Sequence, residues 1–150
     1  MYSHFSFHSD LVAESREELT ELYQRQIQST YAQLQSASHL ILTLGTAWIY
    51  QHETFGRVAN CHKQPQRIFE KKLSGLDEMK NSFKHVLHNI SQVFPKLKII
   101  LTVSPVRHIK DGIAENQLSK SLLRVLCAEL EKSTTLIRLE QELLGELAIL

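Results

Sequence analysis

Two short apolar runs alternate with longer segments in which apolar residues recur every three or four positions. The runs from His39 to Leu44 and from Leu97 to Val103 are almost wholly apolar, which is typical of parallel strands covered on both faces. Helical spacing predicts three helices, over about residues 15–37, 76–93 and 114–131. In the third helix, the residues expected to face inward are Leu118, Leu122, Val125, Leu126 and Leu130.

Polar residues, glycines and prolines mark where these elements begin and end. Ser15 and Glu18 have the spacing of a capping box, in which the hydroxyl accepts from a free amide and the carboxylate reaches back. Ser74 is the expected cap of the second helix. Pro95 follows the end of that helix, and Pro105 stops the second strand.

The segment between the first strand and the second helix predicts a small inserted hairpin. Residues 48–50 and 57–59 are strand-like and flank Thr54, Phe55 and Gly56. The resulting order of helix, strand, hairpin, helix, strand and helix predicts an α/β fold with a parallel sheet and right-handed crossovers. Beyond residue 133, the apolar pattern suggests a short strand and an amphipathic helix, built from Leu136, Ile137, Leu139, Leu143, Leu144, Leu147, Ile149 and Leu150.

Four motifs stand out along the chain, namely Leu44-Gly45-Thr46-Ala47-Trp48, Asn60-Cys61-His62-Lys63, Ser104-Pro105-Val106-Arg107-His108 with Asp111-Gly112, and Glu115-Asn116-Gln117-Leu118-Ser119-Lys120. These motifs resemble those of the GSCFA family, a branch of the SGNH/GDSL-like hydrolases. They occur in the family's order, and the resemblance covers residues 1–132, leaving 133–150 as a divergent tail. The family's amino-terminal Gly-Ser-Cys-Phe-Ala segment and its carboxy-terminal Asp/His region are not found in the sequence. The resemblance therefore implies a partial flavodoxin-like domain from the centre of a longer protein.

The resemblance also implies a chemistry. SGNH-type enzymes use a serine nucleophile, a histidine base and amide donors to an oxyanion, without a metal or organic cofactor. The parent is expected to cleave a small-molecule ester, such as an acylated carbohydrate or lipid. This chain is expected to be inactive as given, because the nucleophile and the Asp/His pair are missing. A non-catalytic interaction protein and a non-functional truncated product are the alternatives.

The expected site residues follow the ends of the two predicted strands and the hairpin. The carboxyl ends of parallel strands face a common crevice, so these residues are expected to gather at one end of the sheet. Asn60 is a candidate accessory group, because the resemblance implies that Ala47 stands where the wider superfamily has an oxyanion-binding asparagine. His108 is a second candidate accessory group, because an imidazole can assist proton transfer near neutral pH. The candidate substrate-binding residues are Gly45, Thr46, Trp48, Asn60, His62, Arg107 and His108.

Each of these residues also has a structural interpretation. Asn60 can stabilise its own turn, and Ser104 is better explained as a cap of the turn at Pro105. Arg107 offers a planar fork to a carboxylate or phosphate, or else binds carbonyls at the strand ends. Trp48 can line a groove or pack in the core.

Cys61 and His62 are adjacent, which suggests either a metal site or a cysteine nucleophile. Zinc needs three or four ligands, and Cys61, His62 and His52 do not form a standard set. A histidine immediately beside a cysteine seldom directs its ring at the sulfur. No metal is therefore predicted, and a half-buried cysteine with a loop histidine is the simpler interpretation.

Composition narrows the classes of partner and the cellular locations expected for the chain. The formal net charge is +1 and charged residues make up 22% of the chain, so no basic patch predicts a nucleic-acid partner. The two cysteines form no framework, and neither a leader sequence nor an 18-residue apolar run is seen. A cytoplasmic location is favoured for the chain as given. Without the family's first strand, an exposed sheet edge is expected to favour self-association.

Overall fold

The computed structural model describes residues 1–107, 112–133 and 137–138, and it has the predicted mixed α/β character. The described residues form three α-helices and two three-stranded sheets. The α/β fold class predicted from the hydrophobic pattern is therefore confirmed. The elements follow in the order α1 Arg16–Ser36, β1 His39–Leu44, β2 Trp48–His52, β3 Gly56–Val58, β4 Phe69–Leu73, α2 Leu76–Val93, β5 Lys98–Val103, α3 Ile113–Ser133 and β6 Ile137–Arg138.

The chain divides into two compact units. The hairpin unit comprises Met1–Gln33 and Trp48–Leu73, and the sheet unit comprises Leu34–Ala47 and Ser74–Leu150. None of the helices in the described residues is long and apolar enough to cross a membrane.

The sheet unit is built on parallel strands in the order β1-β5-β6. β1 and β5 pair in register from His39↔Lys98 to Leu44↔Val103, so both strands end at the same level. The central β5 supplies Ile99 and Leu101, each only 1% exposed. β1 lies at the edge of the described sheet, and Ile41 on it is 62% exposed.

The tail contributes β6, which pairs in parallel with β5. This pairing confirms the short strand predicted beyond residue 133. The amphipathic helix predicted after it falls outside the described residues.

Helix α3 buries a different stripe from the one predicted. Leu118 and Val125 are 51% and 46% exposed, so the prediction that they face inward is wrong. At 3.6 residues per turn, the buried positions form one stripe, and positions 118 and 125 lie on its flank. The sequence misleads here because the stripe includes a serine and a cysteine. Its members are Ser119, Leu123, Leu126, Cys127 and Leu130.

The hairpin unit is an antiparallel sheet in the order β3-β2-β4, and β4 was not predicted. The strand Phe69–Leu73 alternates between half-buried and exposed side chains, as a half-covered strand should. Lys71 occupies one of the half-buried positions, and its ammonium lies over the Trp48 ring, 5.1 Å from the centroid. A lysine at an inward position conceals the alternation of apolar and polar residues that identifies a strand.

One predicted helix cap is confirmed and the other is wrong. Ser15 Oγ accepts from Glu18 N at 3.0 Å, and the Glu18 carboxylate reaches back to Glu14 N. Helix α2 instead has Gly75 as its N-cap, with no side-chain hydrogen bond. Ser74 is 4% exposed, and its backbone amide donates to Ala47 O, which places it one residue too early to cap α2.

Candidate functional site

The turn after β1 is fixed by hydrogen bonds from within the sheet unit. Ala47 N donates to Ser119 Oγ at 2.8 Å, and Thr46 Oγ1 lies 3.2 Å from the same oxygen. Ala47 O accepts from Ser74 N at 2.9 Å. Both Ala47 and Ser119 are 2% exposed, so these bonds are shielded from water. The turn is consequently held from two sides.

Gly45 leads this turn and leaves open space beside it. A Cβ atom added to Gly45 would meet no described atom within 4 Å, and Gly45 is not among the residues with positive φ. Neither packing nor backbone conformation therefore requires a glycine. Its carbonyl is fixed by Lys120 Nζ, which donates to Gly45 O at 2.5 Å.

The geometry also decides which donors the turn can offer to a ligand. The Ala47 amide is already used by Ser119, and Ala47 has no polar side chain. Ala47 therefore cannot replace the oxyanion-binding asparagine that the wider SGNH superfamily has at this position. Another residue must supply that donor if the site binds an oxyanion.

The end of β5 lies beside this turn. Ser104 N donates to Leu44 O at 2.9 Å, extending the pairing of β1 and β5 by one residue. Ser104 Oγ accepts from Val106 N at 3.3 Å, across Pro105. Ser104 thus stabilises its own turn, as the simpler interpretation predicts.

Arg107 lines a cleft of about 180 Å³ together with Ile113, Asn116 and Gln117 from α3. The Arg107 side chain is exposed. Among the described residues it makes no hydrogen bond to a strand-end carbonyl, so the alternative structural role predicted for it finds no support there. His108, the other residue predicted here, lies outside the described residues.

Sequence reasoning assigned no role to the four α3 residues that build this part of the site. Asn116 and Gln117 line the cleft, while Ser119 and Lys120 hold the β1 turn. One signal for them is the periodicity of α3. Ser119 lies four residues before Leu123 and seven before Leu126. At this spacing an apolar residue is expected on the buried face, so a serine there is unusual.

In the hairpin unit, Asn60 has the turn-stabilising role considered from the sequence. Its Oδ1 accepts from His62 N at 2.8 Å. Its Nδ2 makes no hydrogen bond to a described residue. His62 has a φ of 48° and Lys63 a φ of 58°, so the loop turns through two left-handed residues. Asn60 keeps an amide donor while its oxygen is fixed.

His62 is oriented by the amino-terminal segment. His62 Nε2 lies 2.9 Å from His4 O, and because a carbonyl only accepts, Nε2 carries the proton. The ring meets Phe5 edge to face, with centroids 5.9 Å apart. Phe5 O also accepts from Ala59 N and Asn60 N. The amino-terminal segment therefore positions both predicted site residues of this loop.

Cys61 has the properties of a packed thiol. It is half-buried, and burial raises the pKa of its thiol, which reduces the thiolate fraction at neutral pH. No group of three or more His, Cys, Asp or Glu side chains within the described ranges is placed to hold a metal ion. These observations do not favour the cysteine-nucleophile or the metal hypothesis.

The predicted site residues thus fall into two groups. Gly45, Thr46 and Arg107 belong to the sheet unit, and Trp48, Asn60 and His62 belong to the hairpin unit. That all of them gather at one end of the sheet stays a prediction.

Comparisons with curated proteins and with solved structures find no match. A family model described as the GSCFA family matches residues 1–138, which is most of the chain and includes every element from α1 to β6. The chain therefore belongs to the GSCFA family.

Proposed function

We propose that this chain carries the ester-binding part of an SGNH-like hydrolase, with an acylated carbohydrate or lipid as the class of substrate. Membership of the GSCFA family supports the proposal, because the family's resemblance to SGNH enzymes implies ester hydrolysis. The proposal concerns binding by the residues present here. It assigns no complete catalytic set to them.

The observation that carries the proposal is the open space beside Gly45. The turn lies at the carboxyl end of a parallel strand, where α/β proteins bind ligands. Ser119 and Lys120 fix its backbone, and a Cβ atom at position 45 would meet none of the described atoms within 4 Å. A rigid glycine turn with open space beside it allows a ligand carbonyl to approach the backbone closely.

Asn60, within the hairpin unit, has an orientation compatible with its predicted role as an accessory amide donor. Its side-chain oxygen is fixed by His62 N, so its Nδ2 is oriented without being used within the described residues. An oriented amide of this kind is the type of group that stabilises a developing oxyanion. Its role as an accessory group is thus compatible with its role in its own turn.

The chain as given is expected not to turn over esters. The serines beside the site are engaged in structure, since Ser104 caps a turn and Ser119 accepts from a buried amide. Loss of catalytic triad members costs on the order of 10⁴ to 10⁶ in rate. Assays of the purified chain with short acyl esters check this expectation. Turnover that a serine-directed phosphonate abolishes would contradict it.

Binding is tested with N-ethylbutyramide, a neutral amide isostere of a short ester, followed by ligand-observed NMR. We expect Gly45→Ala to fold normally and to weaken binding about tenfold or more, because the methyl group occupies the space that the ligand needs. Gly75→Ala is the matched control, since a Cβ there also meets nothing within 4 Å and its φ is −70°. Equal binding by both variants, or no binding by the wild-type chain, would reject the proposal.

A further inference from the structure

Two cations lie at the carboxyl end of the β1-β5 pair. Lys120 Nζ reaches the carbonyl of Gly45, the residue after β1, and Arg107 follows β5 by four residues. Because Leu44 pairs with Val103, both strands end at the same level. Among the described residues, neither cation forms an ion pair with a carboxylate.

Helix α3 links the two cations along one face. Asn116 lines the cleft with Arg107, and Lys120 follows Asn116 by four residues. Side chains four residues apart on a helix are neighbours, with Cβ atoms about 5–6 Å apart. Lys120 is therefore a helical neighbour of Asn116, which lines the cleft, and it also holds the Gly45 turn.

The carboxylate nearest to Lys120 in the sequence belongs to Glu115, and it lies against Gly112. Glu115 Oε2 would lie 2.1 Å from a Cβ on Gly112, so this side chain is folded against the residue that precedes α3. Gly112 has a φ of 97°, a left-handed backbone conformation that glycine adopts without strain. Glu115 thus lies against the start of the helix, and within the described residues it forms no ion pair with Lys120.

Lys120 carries a charge in a half-buried position. Burial lowers the pKa of its ammonium group, because a charged group is less well solvated there and no described anion compensates. One of its three donors is used by Gly45 O, which leaves two for another acceptor. An anion bound beside it would offset the cost of burying the charge.

We propose that Arg107, Asn116 and Lys120 form an anion-binding subsite that takes a carboxylate or phosphate group. The guanidinium and the ammonium supply the charge, and the α3 face joins them. If the anionic group is part of the ester substrate, the subsite deepens the proposed function, and this part of the inference rests on that function. The anion site itself is measured separately, with ligands that contain no ester.

The test titrates the full chain with sodium phosphate and with sodium butyrate at constant ionic strength, following backbone amides by ¹⁵N NMR. Binding of either anion, with shifts at residues 116–120, is expected, and the tighter ligand identifies the preferred class. Lys120→Gln should weaken this binding about tenfold, because a hydrogen bond to a charged group is lost while a donor to Gly45 O is retained. Lys120→Arg keeps the charge and should retain binding.

Lys132→Gln is the matched control, because Lys132 is an exposed cation near the other end of α3. An equal loss in Lys132→Gln and Lys120→Gln would show a non-specific charge effect and overturn the proposal. So would unchanged binding in Lys120→Gln, or the absence of binding by the wild-type chain. If the anions bind as expected but N-ethylbutyramide does not, the subsite stands and the ester proposal fails.

Discussion

At the scale of single residues, Ser119 contributes most to the candidate site. Its hydroxyl oxygen accepts from the buried Ala47 amide and lies beside Thr46 Oγ1. A buried amide without a partner costs about 1–3 kcal/mol, because water cannot replace the lost hydrogen bond. Ser119 therefore couples the position of the turn to the packing of α3.

Replacing Ser119 by alanine tests this coupling. We expect Ser119→Ala to lower the free energy of unfolding by about 1–3 kcal/mol, as measured by urea denaturation. Ser121→Ala serves as the control, since Ser121 is exposed on the same helix and should change stability by less than about 0.5 kcal/mol. Equal effects of the two substitutions would show that the Ala47–Ser119 bond adds nothing.

Individual side chains show how far local sequence rules reach. The capping role of Ser15 and the turn role of Ser104 follow from their immediate neighbours, and both are found. The predicted capping role of Ser74 is not found. Its backbone amide instead donates a hydrogen bond to Ala47 O, far away in the sequence. The roles of Ser119 and Lys120 also depend on a distant strand end, so spacing alone could not assign them.

At the scale of elements, an ion pair joins α2 to α3. Lys80 Nζ lies 2.8 Å from Glu129 Oε2. The hydrogen bond and charge of Lys80 lower the pKa of the Glu129 carboxyl, and those of Glu129 raise the pKa of Lys80. Glu129 therefore stabilises the fold above its unfolded pKa of about 4.3, and loses this contribution as the pH falls through its lower folded value. The Lys80 contribution is present below about pH 10.4 and is lost as the pH rises through its raised value.

The pair predicts a specific pH dependence. Between about pH 5 and pH 3, the wild-type chain should lose more stability than Glu129→Gln, because the variant has no carboxylate to protonate there. Chemical denaturation at each pH measures the difference. Glu21→Gln, at an exposed position on α1, should follow the wild-type curve. Parallel curves for wild type and Glu129→Gln would refute a role for the pair in acid stability.

The elements were predicted where hydrophobic periodicity is strong, and missed where a charged residue occupies an inward position. The three helices and the strands β1 and β5 follow from their apolar spacing. β4 was missed because Lys71 takes a half-buried place beside Trp48. The buried stripe of α3 was predicted on partly wrong residues, because it includes Ser119 and Cys127 and excludes Leu118.

At the scale of the whole molecule, the edge of the parallel sheet is the feature most open to partners. β1 lies at that edge among the described strands, and Ile41 on it is exposed. Edge strands with few charges pair readily with other chains. Self-association through this edge stays a prediction.

Size-exclusion chromatography over a range of concentrations tests that prediction. We expect the elution volume to fall as the concentration rises, and Ile41→Lys to restore a monomer, because lysine on an edge strand opposes pairing. Val86→Lys, at an exposed site on α2, should leave the association unchanged. A monomer at all concentrations, with a cooperative melt above about 65 °C, would contradict the expected marginal stability.

The central claim is that the Gly45 turn binds an ester, and amide NMR tests it most directly. The backbone resonances of the ¹⁵N-labelled chain are assigned and followed while N-ethylbutyramide is added. The account predicts saturable shifts at Gly45, Thr46 and Ala47. Saturable binding that leaves residues 45–47 unperturbed, or no binding at all, would contradict the claim.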